Sequence, residues 1–353
     1  MSYLGRYVMR YVFSAVVLVL LILLSIDAIS AVVDGLGDVR NDYHFQDVLY
    51  HVGLTLPARI YRNIPFASLI GCLVGLGVLA GNSELIIMRA AGISLVKITG
   101  FVLLPVLFVI AFGVALGEYL VPYSDQFAES RRMLLRGEQE NLSVSNGVWN
   151  REGNEFIHFN GVYPNGKLFG VTRYQFNDDR EINQVSFAAR ATFVKDHWIE
   201  EEGVITHFEQ DATRTSTFVT RRWGTALSTD LLKLMVMPAD SLSMRSLFDY
   251  AHYLDKQEQR STKYWLAFWG KALQPLSVLG LVLVATSFIF GPLRDATMGF
   301  KIFSGVIVGI TFQTSQQLLG PSSVVFGFSP FWAVLIPALV CMVLGLVLLR
   351  RAA

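Results

Sequence analysis

The chain has 353 residues, 53% of them hydrophobic and only 16% charged, against roughly 25% charged in ordinary soluble domains. Lys and Arg number 29 against 28 Asp and Glu, a net of +1, which excludes the basic face of a nucleic-acid binder. The two cysteines, Cys72 and Cys341, lie in apolar runs and read as inert small hydrophobes, not as a disulfide.

Six apolar runs set the class: about 11–33, 63–81, 98–121, 266–290, 301–319 and 330–349. Each is near the ~20 residues that a helix needs to cross ~30 Å of hydrocarbon. The first follows Arg6 and Arg10 as a signal peptide would, but it is too long for a signal h-region and no A-x-A site follows. It reads as a retained anchor. Lys and Arg in short loops mark the cytoplasmic side. Arg6 and Arg10, Arg89 and Lys97, Arg294 and Lys301, and Arg350-Arg351 all fall on one side if there are six spans. The opposite loop 321–329 has no basic residue, while 34–62, read as a loop, carries Arg40, Arg59 and Arg62.

Residues 123–262 break the pattern, being polar and far too long for a connector. In VSFAARATF at 185–193, Val185, Phe187, Ala189, Ala191 and Phe193 are expected on one face, with Ser186, Arg190 and Thr192 on the other. That is the period of a half-buried strand. The stretch 156–176 reads as two strands joined at Asn165-Gly166, a type I′ hairpin signal. VITHFEQ and TSTFVTRRW continue the series, so an all-β sandwich or barrel-like insert on the non-cytoplasmic side is expected. The predicted organisation is spans 1–3 over 1–122, the β domain over 123–262 and spans 4–6 over 263–353.

Catalytic signals are weak. Gly161 to Lys167 matches GxxxxGK, but Leu168 stands where a P-loop has Ser or Thr, and no helix follows. HExxH, CxxC and GxSxG are absent, and the six histidines lack ligand spacing. Transport suits the spans better than catalysis. Gly71, Gly75, Gly77 and Gly81, with Ala67 and Ala80, permit close helix approach in span 2. Packing against a neighbouring span of this chain outweighs a subunit contact. Pro65, Pro105, Pro275 and Pro337 fall inside spans, where they can kink helices.

Asp27, Glu118 and Lys271 are the ionisable residues within spans, all toward the outer side, where an interfacial role competes with function. The cations near that boundary, Arg59, Arg62, Arg131, Arg132, Arg136 and Lys271, are candidates to hold a phosphorylated amphiphile, because guanidinium forks match phosphate. On the cytoplasmic side, NSELIIMRAAGISL at 82–95 reads as a short helix with Asn82 or Ser83 as cap, Glu84 at its positive end and Gly92 as its stop. Leu85 and Met88, with Ile86 and Ala90–Ala91, offer apolar contacts, and Glu84 and Arg89 offer charge. Such a helix can lie on lipid or insert into a protein groove.

In SELIIMRAAGIS at 83–94, FIFGPLRDATMG at 288–299, KALQPLSV at 271–278 and the three-plus-three layout, the chain resembles the LptF/LptG permease family (YjgP/YjgQ) of bacterial lipopolysaccharide exporters over essentially its whole length. The resemblance implies an α-helical polytopic inner-membrane protein with six transmembrane helices and an inserted jellyroll-like periplasmic domain. It implies pairing with a sister permease, LptF, docking on a dimer of the LptB ATPase, and a route onward through LptC and the LptA bridge. ATP and magnesium would sit on LptB, with no cofactor on this chain. Glu84, Leu85, Met88, Arg89 and Gly92 would form the coupling helix at about 82–92, Glu84 pairing with an arginine of the ATPase. Where members of that family carry a lysine near the outer end of span 1, this chain has Ile29-Ser30-Ala31, so that phosphate contact does not transfer.

Each buried CH₂ is worth ~0.8 kcal/mol, so lifting a multi-acyl lipid from a bilayer needs a second apolar cavity. Phe156, Phe159, Phe169, Val171, Val185, Phe187 and Phe193 are candidates to line it; filling an ordinary closed core is the competing reading for each. An ion-coupled secondary carrier and a membrane-anchored scaffold stay open as alternatives.

Overall fold

A computed structural model describes residues 3–39, 43–135, 148–162, 167–194, 197–209, 212–225, 227, 231–232, 237–257, 259–292 and 296–352. Arg40, Arg136, the Asn165-Gly166 turn and Arg294 lie outside them. The chain divides into two compact units, one of residues 1–38, 45–128 and 262–353, the other of 39–44 and 129–261.

The first unit is helical. It contains α1 (Tyr3–Leu36), α2 (Phe45–Gly81), α3 (Glu84–Ala90) and α4 (Leu95–Ala115). A π-helical turn, Leu116–Leu120, then leads into α5 (Val121–Leu135), which runs on into the second unit. After α6 (Met244–Lys256), which belongs to the second unit, come α7 (Thr262–Phe290), α8 (Met298–Phe326) and α9 (Pro330–Ala352). Among the described helices, α1, α2, α4 continued through α5 to Arg132, α7 and α9 are long and apolar enough to cross a membrane. The predicted fifth span lies within α8, which has the length but a polar middle at Thr311 and Gln313–Gln317. Two of its hydroxyls are satisfied locally, Thr311 donating to the Ile307 carbonyl at 2.8 Å and Ser315 to that of Thr311 at 2.7 Å.

One expectation is corrected. The stretch 34–62, read as a loop, is mostly helix, because α2 begins at Phe45 and continues unbroken through Pro57 and Pro65. The reason is tertiary: Val48 and Val52 are buried, and a Cβ on Gly35 would meet Val48 Cγ1 at 2.6 Å. Arg59 and Arg62 therefore sit one turn apart on one helix.

The α1–α2 pair is an antiparallel hairpin set by small residues. A Cβ on Gly71 would lie 2.5 Å from Val16 Cα, and one on Gly75 3.1 Å from Val12 Cα, whereas nothing lies within 4 Å of Gly81. Gly71 and Gly75 of span 2 thus pack on the chain's own first helix, at backbone distance, while Gly77 faces Met298 of α8. Val8, Val12 and Val16 join Leu69, Leu73 and Leu76 in the main core.

The second unit is built on six strands: β1 (Val148–Glu152), β2 (Glu155–Val162), β3 (Leu168–Phe176), β4 (Ile182–Val194), β5 (His197–Phe208) and β6 (Thr213–Trp223). They form one antiparallel sheet in chain order. The described strands are therefore a meander, with none of the crossovers of a double-Greek-key jellyroll. Val162 pairs with Leu168, so the GxxxxGK stretch joins two strands and opens no helix. A helix not expected from sequence, α6 (Met244–Lys256), follows the sheet; it is capped by Ser243 and buries Leu247, Tyr250, Ala251 and Leu254.

A crease crosses the sheet. Asn160, Gly170, Ala189, Glu202 and Val219 are unpaired in the ladders, between neighbours that keep the same register on both sides. Gly170 has φ +58° and Glu202 φ +54°. β3 and β4 change phase there: Ser186 and Ala188 are buried on one side of the crease and Ala191 on the other, as are Arg173 and Val171 against Leu168. The predicted single face of 185–193 is corrected accordingly, because an unpaired residue inverts the alternation. Ala191 and Phe193 point inward as expected, while Val185 and Phe187 point away.

Replacing Gly71 by Val should cost about 1–3 kcal/mol of stability through overpacking, seen as a lowered melting temperature in detergent. Gly81→Ala should leave it unchanged.

Candidate functional site

The short helix α3 is positioned differently from the expectation. Ser83 adopts a left-handed conformation, φ 61°, and its side chain makes no capping bond. Glu84 is instead held from the side: the Tyr7 hydroxyl donates to Glu84 Oε1 at 3.3 Å and Asn82 Nδ2 to the same oxygen at 3.4 Å. Gly92, φ +82°, ends the helix as predicted. Ile93 N–H bonds the Met88 carbonyl at 3.2 Å and Gly92 N–H that of Arg89 at 3.0 Å, the paired bonds of a Schellman motif. Leu85 and Met88 are buried in the protein's own core and so offer nothing to a partner. The outward apolar residues are Ile86, Ile87 and, after the turn, Val96, with Arg89 exposed beside them.

At the other end of α1, Asp27 gathers a cluster from α2. Arg59 Nη1 donates to Asp27 Oδ1 at 3.1 Å and to its backbone carbonyl at 3.3 Å. Arg62 Nη2 reaches Oδ2 at 3.1 Å and Oδ1 at 3.3 Å, and Asn63 Nδ2 reaches Oδ2 at 3.4 Å. Arg59 is anchored by Thr55 Oγ1 at 3.2 Å and half-buried, while Arg62 is 65% exposed. For Asp27 an interfacial role and a functional one were both open; it is the hub that orders both arginines.

Tyr7 and Asp27 lie twenty residues apart on one helix, a rise of about 30 Å. That matches the thickness of a hydrocarbon core.

Lys271, expected among the head-group cations, is buried. Its Nζ lies 3.5 Å from the Gly117 carbonyl and 5.7 Å from the centre of the Tyr61 ring. Gly117 sits in the π-helical turn, and a Cβ there would meet Tyr61 at 2.9 Å. Lys271 thus ties α7 to the turn between α4 and α5 beside α2, and is not displayed to a ligand. Arg131 and Arg132 belong to the second unit, where Arg132 approaches Glu129 at 3.6 Å. Arg136 is not among the described residues.

The residues expected to line an acyl-chain cavity do not share a face. Phe159 and Val171 are fully buried, with Phe193 packed against the same cluster, but that cluster is filled by Trp198, Trp223, Leu227 and Leu232. Trp198 Nε1 donates to the Leu227 carbonyl at 2.7 Å, and the Thr225 hydroxyl bonds the Glu152 carboxylate. The chain after β6 therefore returns across the sheet and closes its interior. Phe156 and Val185 share a cross-strand row through Tyr174 on the opposite face, with Phe187 exposed beside them. Phe169 neighbours inward Leu168 and so points outward too.

Residues 6–351 match the family described as "Lipopolysaccharide export system permease LptF/LptG". The chain belongs to the LptF/LptG permease family. It is 32% identical to the lipopolysaccharide export system permease protein LptG of Escherichia coli K12 over 354 residues, covering 99% of this chain and 98% of that protein. It is also 32% identical to LptG of Haemophilus influenzae over 351 residues, with the same coverage. The expected family is thereby borne out, and the chain is a multi-pass membrane permease.

In this permease, sequence reasoning missed Tyr7, Asn63 and the ions inside the β unit. Arg173 is 4% exposed and Glu200 1%, joined at 2.9 Å, with Glu155 on the guanidinium's other side and the Trp223 ring 5.0 Å away. A buried pair of this kind destabilises strongly when one partner is removed. Its only sequence signal, charge on a strand, is uninformative until the crease fixes which face is inward.

Phe159→Ala should destabilise the β unit by about 3–5 kcal/mol, while Phe187→Ala should cost little. Urea unfolding followed by tryptophan fluorescence, with Trp198 and Trp223 as reporters, separates the two.

Proposed function

We propose that this chain is the LptG-type permease subunit of a lipopolysaccharide exporter in the bacterial inner membrane. It takes lipopolysaccharide from the outer leaflet and passes it toward the outer membrane by way of the periplasmic β domain. The observation that carries this reading is the pair of polar clusters at the two ends of α1: a carboxylate on a short cytoplasmic helix, and two ordered guanidinium groups about one bilayer thickness away.

The energy comes from a partner. Glu84, held by Tyr7 and Asn82, is aimed outward from α3 and pairs with an arginine of the LptB ATPase dimer, which holds ATP and magnesium. This chain binds no cofactor of its own. Ile86 and Ile87 take the apolar docking role first assigned to Leu85 and Met88, because the latter pair fixes α3 to the bundle. LptF is the sister permease, and LptC and the LptA bridge receive the lipid. The head-group site is Arg59 and Arg62, whose planar forks suit phosphate.

Passage of acyl chains through the β domain requires Leu227 and Leu232 to leave the interior they now fill, exposing Phe159, Val171 and Phe193. Transfer into that interior offsets ~0.8 kcal/mol for each CH₂ that leaves the bilayer.

An exposed ion pair contributes only ~0–1 kcal/mol, so Glu84→Ala should reduce lipid release per ATP severalfold without abolishing assembly. Ile87→Asp should weaken co-purification of the ATPase as well. Reconstituted complex, assayed for ATP hydrolysis and lipid release together, decides; unchanged coupling in both variants would remove α3 as the docking element.

A further inference from the structure

Prolines leave two carbonyls of the helical unit without their regular helical donors, and one face of α7 serves both. Pro65, inside α2, has no N–H, so the Tyr61 carbonyl four residues earlier loses its partner. Gln274 Nε2 donates to that carbonyl at 3.1 Å. Pro122 is the second residue of α5, directly after the π-helical turn. In that turn Val121 N–H bonds the Leu116 carbonyl, five residues back, in place of the Gly117 carbonyl. The next residue, Pro122, has no N–H to offer. The Gly117 carbonyl is thereby left over, and Lys271 Nζ donates to it at 3.5 Å. Lys271 and Gln274 stand three residues apart on α7, on one face of the helix. Tyr61 lies between the two sites: its ring centre is 5.7 Å from the ammonium, and a Cβ on Gly117 would meet that ring at 2.9 Å.

We infer that Lys271 and Gln274 are positioning residues that latch two proline-made hinges, one in α2 and one between α4 and α5. The first hinge joins the N-terminal part of α2, with Arg59 and Arg62 at its end, to the stretch where Ala67, Leu69 and Leu73 are buried. The second lies where α4 gives way to α5, the helix that runs on into the unit bearing the sheet. A carbonyl freed by proline in a membrane helix has no water to bond and must find its donor on a neighbour. A hinge closed by a donor from another helix stays closed only while that helix is in place. Lys271, 8% exposed, suits the task because its ammonium can serve the carbonyl and the Tyr61 ring face together. Displacing α7 releases the segment with the arginines and the helix leading to the β domain in one step. The bearing on lipid rests on the head-group reading above; the latch itself does not.

The test follows amide hydrogen exchange of the permease–ATPase complex in nanodiscs by mass spectrometry. Gln274→Leu should raise exchange over 59–69 about ten-fold, the scale of one hydrogen bond lost from a buried carbonyl. Lys271→Met should do the same over 113–124. Each defect should be cancelled by removing its own proline: Pro65→Ala returns an N–H to the Tyr61 carbonyl, and Pro122→Ala returns one to the turn. The crossed pairs, Gln274→Leu with Pro122→Ala and Lys271→Met with Pro65→Ala, should stay loose. Lipid release per ATP should fall severalfold in each single variant and recover with the matching proline change. If a single variant does not assemble, assembly regained only with the matching proline change supports the latch, and assembly regained with neither overturns it. Exchange unchanged in both single variants, or cancelled equally by either proline change, overturns it too. Loosened hinges with unaltered lipid release overturn the positioning role. If Arg59→Ala and Arg62→Ala retain lipopolysaccharide as well as the wild type, the head-group reading fails, a separate outcome that leaves the exchange result standing.

Discussion

The closest constraint in the helical unit is the contact between the backbones of α1 and α2. Gly71 and Gly75 bring α2 against Val16 and Val12 at a distance no side chain on those glycines would allow. In lipid there is little hydrophobic gain from bringing two apolar helices together, so close van der Waals packing has to hold them. Once this register is set, Asp27 must face Arg59 and Arg62. The Asp27 cluster on α1 follows from two glycines in the middle of its neighbour.

That register also explains why Glu84 is presented by tertiary contacts and not by its own helix. A seven-residue helix is marginal in isolation, and the left-handed Ser83 gives it no side-chain cap. Leu85 and Met88 anchor it to the core and the Tyr7 hydroxyl steadies its carboxylate.

The β unit depends on the crease. Without it, the alternation of β4 would place Val185, Phe187 and Ala191 together. With it, the interior takes Ser186, Ala188 and Ala191, and β3 and β5 contribute the buried Arg173–Glu200 pair. Polar groups inside a domain whose core is otherwise Trp, Phe and Leu leave hydrogen-bonding capacity unused: Oγ of Ser186, Oε2 of Glu200 and Nε1 of Trp223 have no partner among the described residues. Such atoms are costly in a dry core.

The sequence by itself determined the membrane class, the polar insert with its strand series, the site of the short helix α3 and its glycine stop, because each is written in local composition and periodicity. The tertiary structure alone decided that 45–62 is helix, that Leu85 and Met88 point inward, that Lys271 is a buried tie and that Phe159 and Phe187 lie on opposite faces. Those outcomes hang on which elements touch and on one unpaired residue in each strand from β2 to β6. Neither a neighbour's identity nor a phase inversion leaves a mark on the hydrophobic pattern of a single segment.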